Sequence, residues 1–147
     1  MFRGGNFAIC FSVFLLSLGG CDNADAPKSV KTYAVKGKVE LGDGKPLTGG
    51  KIFFISPTHL EHVSVGEIQP DGTFELETAG SGKGAPSDSY RVRIDPPEMT
   101  IEEAKSKMKK RVKGKPVFPT KYMDEDESGL TAVVKPEPNQ LEPFRLK

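Results

Sequence analysis

Residues 33–41, Tyr-Ala-Val-Lys-Gly-Lys-Val-Glu-Leu, alternate in character: Tyr33, Val35, Val39 and Leu41 fall on one side with Gly37, while Ala34, Lys36, Lys38 and Glu40 fall on the other. A period of two marks a strand with one face buried and the other in water. Gly42-Asp43-Gly44-Lys45-Pro46 then supplies turn residues, and a second strand follows at Lys51 to Ser56, where Ile52-Phe53-Phe54-Ile55 is apolar on both faces.

The same grammar continues outward. Pro57 and Thr58 break the second strand, and Val63, Val65 and Ile68 suggest a third whose alternation slips near Gly66, as a bulge would require. Pro70-Asp71-Gly72 is a tight turn into Thr73 to Thr78, where Phe74 and Leu76 alternate with Glu75 and Glu77. Tyr90 to Ile94, Leu130 to Lys135 and Leu141 to Leu146 bring the expected count to seven short strands. That pattern predicts an all-β fold, a β-sandwich with Val39, Phe54, Phe74, Val92 and Leu130 in its core.

Residues 96–128 are too long for an unstructured connection between two strands. Thr100-Ile101-Glu102-Glu103 is a capping box and Gly114 can end a helix, so one short helix is expected there. Ile101, Ala104, Met108 and Val112 share one apolar stripe, which should dock on the sandwich. Lys105, Lys107, Lys109, Lys110, Arg111, Lys113 and Lys115 surround it. They form either a solvated surface or, at Lys107, Lys109, Lys110, Arg111 and Lys113, a contact for anionic lipid head groups or polymers.

The N-terminus has a different composition. After Arg3, residues 7–18 run without a charge, and a helix of that length spans about 18 Å, short of the roughly 30 Å hydrocarbon core. This is the layout of a signal peptide over residues 1–20. The chain has two cysteines: Cys10 lies inside the apolar run, and Cys21 closes it, so no disulfide is expected in the mature domain. Residues 21–32 have almost no apolar content and read as a tether, leaving residues 33–147 as one domain. With Arg3 removed, 20 basic residues face 20 acidic ones, so nothing global steers the chain toward nucleic acid.

Leu18-Gly19-Gly20-Cys21 resembles the lipobox of bacterial lipoproteins. The resemblance implies cleavage before Cys21, a lipid on its sulfur, palmitate-type acylation of the new amine, and a protein held at the cell membrane or outer membrane, facing the periplasm or exterior. Several acyl chains together suffice to hold a protein on a bilayer. In the domain, Val35-Lys-Gly-Lys-Val39, Gly44-Lys-Pro-Leu47, Gly50-Lys-Ile-Phe-Phe54, Pro70-Asp-Gly-Thr-Phe74 and Ser89-Tyr-Arg-Val92 recur in the order seen in carboxypeptidase-regulatory-like domains, which they resemble. That family implies the transthyretin-like (prealbumin-like) fold, a seven-stranded Greek-key sandwich. These motifs are turns and core positions, and they speak to fold, not function.

Candidate chemistry is sparse. His59 and His62 flank Glu61 and are candidate zinc ligands, with a solvated loop as the competing reading. Asp124, Asp126 and Ser128, followed by Gly129, imitate the first half of an EF-hand calcium loop, but the twelfth position is Lys135 where a bidentate Glu is needed. Gly80-Ser-Gly-Lys-Gly84 lacks the Walker spacing and reads as a loop. No Gly-x-Ser-x-Gly elbow occurs, and the C-terminal Phe144-Arg-Leu-Lys147 lacks the Tyr-Arg-Gly-Ser ending of transthyretin-like hydroxyisourate hydrolases. A Lys–Asn isopeptide bond would need Lys36 or Lys38, Asn139 and Glu75 or Glu77, all on outward-facing positions. The expected role is a non-enzymatic binding or structural module without cofactor, meeting the membrane through Cys21 and an envelope protein or polysaccharide through its surface. The rivals are a metal-assisted hydrolase using His59, His62 and nearby carboxylates, and an accessory subunit of an envelope assembly.

Overall fold

The computed structural model describes residues 29–98 and 116–147. The signal segment, Cys21, most of the tether and the expected helix with its lysines lie outside the described residues. What is described is all-β: β1 (Val35–Leu41), β2 (Lys51–Ile55), β3 (Val63–Glu67), β4 (Thr73–Thr78), β5 (Gly82–Lys83), β6 (Ser89–Asp95), a 3₁₀ turn at Thr120–Met123, β7 (Thr131–Val133), β8 (Asn139–Gln140) and β9 (Phe144–Leu146).

These strands form one mixed sheet in the order β7-β6-β2-β3-β4-β1, with β8 and β9 along β1 and β5 folded back on β4. β2, β3 and β4 make an antiparallel meander, and β6 returns to the other side of β2. The C-terminal segment runs parallel to β1. Val35 faces Asn139 and Val39 faces Phe144, so four steps on β1 match five on the partner, a one-residue bulge; β9 lies within the expected last strand, while β8 falls just before it, on residues that sequence alone places in a turn.

The sheet is curled around its core. From β2 to β9 the path crosses β3, β4 and β1, and four inter-strand steps would cover about 19 Å if flat. Yet the rings of Phe54 on β2 and Phe144 on β9 lie 6.1 Å apart, and both stand 6.2 Å from Phe74 on β4. Tyr90 on β6 closes the aromatic cluster, 5.7 Å from Phe54. Val39, Phe54, Phe74 and Val92 are buried as expected; Leu130 lies just before β7 and packs against the core from a partly buried position.

β3 departs from the expectation. Its pairing runs unbroken through Gly66, with Ile52 on one side and Leu76 on the other, so there is no bulge. Ser64, Gly66 and Ile68 face the core, while Val63 and Val65 are half-buried on the outside. The small inner residues leave room for Ile52 and Leu76, whose methyls lie 3.1 Å from where a Gly66 Cβ would sit. The inner hydroxyl is satisfied by a bond of 2.7 Å between Ser64 Oγ and Thr78 Oγ1, and Thr78 donates on to Gly84 O at 2.8 Å.

Candidate functional site

Among the described residues, three places hold groups able to do chemistry, and the first is the loop after β2. Pro57 ends that strand, and the chain turns around the Ser56 hydroxyl, which accepts the backbone N–H groups of Thr58 (3.1 Å) and His59 (3.0 Å). Ser56 in turn donates to Asp88 Oδ2 at 2.6 Å; Thr58 Oγ1 donates to the same oxygen at 3.1 Å, and His59 Nδ1 stands 3.2 Å from it. Asp88 Oδ1 accepts Ser89 N–H at 2.7 Å. The Ser56 hydroxyl first, then the Ser89 amide and His59, hold the Asp88 carboxyl well below the usual carboxylate range.

This constellation contains Ser, His and Asp, but its geometry is a lock on a turn. Ser56 and His59 both bond the same carboxylate oxygen, so the imidazole does not stand between hydroxyl and acid as a proton relay requires. Ser56 is also buried. His62 stacks on His59 with ring centroids 6.4 Å apart, and its Nε2 lies 3.7 Å from Glu61. No group of three or more His, Cys, Asp or Glu side chains converges to hold a metal among the described residues.

The second place is the acidic loop. Its EF-hand-like oxygens diverge: Asp124 Oδ1 accepts the N–H groups of Asp126 (2.8 Å) and Glu127 (3.1 Å), Asp126 pairs with Arg91, and Ser128 Oγ donates to Val92 O at 2.7 Å. Glu125 faces Arg93 at 3.6 Å, and the Arg93 guanidinium lies 4.4 Å over the Phe53 ring. Arg93 Nε is 3.4 Å from Asp95 Oδ1 without hydrogen-bond geometry, so the two carboxylates and the ring face compensate its charge through the field alone at that nitrogen. The loop is thus clamped to the outer face of β6, and its carboxylates serve the fold.

The third place is an open groove of about 620 Å³ on the outer face of β1, β3 and β4. Lys36, Glu67, Gln69, Thr73, Glu75, Glu77 and Gln140 line it, with Gly37, Val65 and Phe74 between them. These side chains alternate with the core set, so the same period of two that buries Phe74 and Leu76 presents the glutamates outward. Lys36 stands opposite Glu75 in the ladder and donates to it, which lowers the Glu75 carboxyl from its ordinary value. Sequence reading placed Glu75 and Glu77 outward but did not assemble the groove, because Gln69 and Gln140 come from segments far apart in the chain.

Two further sequence candidates fall in structural roles. Asn139 caps its own turn, with Oδ1 accepting Lys135 N–H at 2.9 Å and Nδ2 donating to Lys135 O at 3.1 Å, while Lys36 donates to Glu75. The Gly80 to Gly84 loop forms the hairpin into β5. Cys21 and the cationic set Lys107, Lys109, Lys110, Arg111 and Lys113 lie outside the described residues. Among the described residues no helix is long and apolar enough to cross a membrane. No family model, curated protein or solved structure matches the chain.

Proposed function

We propose that this chain is an envelope lipoprotein whose domain acts by binding, not by catalysis. Residues 1–20 direct export, Cys21 carries the lipid, and residues 33–147 form a transthyretin-like Greek-key sandwich that meets an envelope protein or polysaccharide. The observation that carries the reading is Leu18-Gly19-Gly20-Cys21 at the end of a charge-free apolar run too short to span a bilayer, ahead of a domain with no further cysteine. The curl that brings Phe54, Phe74 and Phe144 together supports a sandwich, since two layers of one sheet then share a single core.

Two further features favour binding. The hydroxyl, imidazole and carboxylate groups around Asp88 are spent on holding a turn, and the acidic loop is spent on Arg91 and Arg93. The groove on the outer face of β1, β3 and β4 is open, and beside Val65 and Phe74 it presents amides, carboxylates, a hydroxyl and one ammonium, groups able to hydrogen-bond a polyhydroxylated or polar peptide partner. The test of the anchor is fractionation of cells expressing the wild type and Cys21→Ser, which should move the protein from the membrane to the soluble fraction. Retention of the Cys21→Ser protein on membranes contradicts the reading.

A further inference from the structure

The tether does not leave the domain at an arbitrary point. Val30 N–H donates to Ser81 Oγ at 3.0 Å, Thr32 Oγ1 donates to Lys83 O at 2.8 Å, and Tyr33 and Ala85 exchange two backbone bonds of 2.8 and 3.0 Å. The approach is so close that a Cβ on Gly84, which has φ +96°, would lie 2.1 Å from Tyr33 O. From Val30 onward the chain is therefore fixed to the β4–β5 hairpin.

That hairpin shares one end of the sheet with a second feature. Ser64 pairs with Thr78 and Thr78 with Gly82, while Ile55 pairs with Val63. The loop from Ser56 to His62 accordingly projects from the same end as the hairpin. It carries Leu60, 69% exposed and the most exposed large apolar side chain among the described residues. Cys21 and Val30 are nine residues apart, at most about 30 Å of fully extended chain. A lipid on Cys21 thus holds this end within reach of the bilayer, and an apolar side chain waits there for the interface.

We propose that this end of the sheet faces the bilayer, with Leu60 and the Gly80 to Gly84 hairpin against the phospholipid headgroup layer. The inference rests on lipidation of Cys21. Lys31 and Lys83 flank the tether, but Glu61 and Glu77 share the end, so Leu60, at the end where the tether attaches, carries the contact, not net charge. The opposite end, with the turns at Gly42 to Lys45 and Pro70 to Gly72, then points away from the membrane by the length of β1, about 20 Å for seven residues. The groove on the outer face of β1, β3 and β4 stays open along the side, where a partner can reach it.

Because Cys10 departs with the signal and Cys21 is blocked by lipid, one introduced cysteine gives a single labelling site. Full-length lipidated protein carrying a fluorophore at Glu61→Cys or at Lys45→Cys would be placed in phosphatidylethanolamine–phosphatidylglycerol vesicles containing headgroup spin-labelled lipid. Both positions are exposed and lie at opposite ends. The probe at position 61 should be quenched several-fold more strongly than the probe at 45, and adding Leu60→Asp should reduce that difference. Equal or reversed quenching in protein whose mass shows lipid on Cys21 overturns the orientation alone. A mass showing no lipid on Cys21 overturns the anchor and the orientation together.

Discussion

Gly37 and Phe74 face each other across the β1–β4 ladder, and their coupling tests the register of the whole core. Phe74 is 1% exposed and held between Phe54 and Phe144, each 6.2 Å away by ring centroid. A Cβ on Gly37 would lie 2.6 Å from Phe74 Cζ and 2.8 Å from Cε1. Ordinary carbon contacts are about 3.5–4.0 Å, so Gly37→Ala must displace the ring by about 1 Å against packed neighbours, which costs about 1–3 kcal/mol. Phe74→Ala should cost about 3–5 kcal/mol through lost burial and the cavity left behind. With the ring gone, the added methyl keeps only an ordinary contact of 3.5 Å with Leu141 Cβ and the chain loses less entropy on folding, so Gly37→Ala becomes neutral or stabilising by about 0.5 kcal/mol. Equilibrium urea unfolding of the four proteins should therefore give a coupling of about 1–3.5 kcal/mol. If Gly37→Ala costs the same with and without Phe74, the ring does not lie over Gly37 and the register drawn here is wrong, since a one-residue slip would turn Phe74 outward.

Burial first, and then the charge of Asp88, raise the Tyr90 phenol from 10.0 to about 12, and its hydroxyl donates to Pro86 O at 2.8 Å. The folded protein then keeps a proton that the unfolded chain has released, so this stability is complete below pH 10.0 and is lost as pH rises toward about 12. Denaturation midpoints should fall less steeply over that range for Tyr90→Phe than for the wild type; parallel declines would refute the assignment. Asp88 is shifted the opposite way, so its contribution is present above the ordinary 3.8 and is lost as pH falls below it. Asp88→Asn should flatten that acid limb of the stability curve, and an unchanged limb would count against the Ser56–Asp88 lock. Millimolar calcium should leave the melting temperature unchanged because Asp124, Asp126 and Ser128 are committed elsewhere, whereas a site filled at a hundredfold over its Kd would add about 2.7 kcal/mol and a clear upward shift.

Much of the sheet was legible because strict alternation leaves little choice of face. Val35, Val39, Phe74, Leu76, Tyr90, Val92 and Ile94 all point inward as their period of two demands. β3 misled because its outward Val63 and Val65 are more apolar than its inward Ser64 and Gly66. Packing space, set by Ile52 and Leu76 across the ladder, decided the face there, and side-chain polarity did not. The pairing of Asn139 and Gln140 with β1, and the bulge that separates β8 from β9, were also hidden, because both depend on how the C-terminal segment meets β1 and not on its own residues.

The candidate site was read less well for a related reason. His59, Asp124 and Asp126 stand out by their spacing in sequence, but Asp88 carries no local signature and lies about 30 residues from Ser56, Thr58 and His59, which converge on it. Likewise Arg91 and Arg93 gave no hint that they would claim Asp126 and Glu125, since that pairing exists only once the loop crosses β6. Short polar residues were legible as turn formers, while their partners were set by topology.

The central claim is that the domain works at a membrane through a lipid on Cys21, and the mass of the mature N-terminal peptide tests it most directly. Protein extracted from the membrane fraction should begin at Cys21 and carry the added mass of a diacylglycerol on the sulfur, with acylation of the amine as a further increment. An unmodified Cys21, or a mature N-terminus at any other residue, would contradict it.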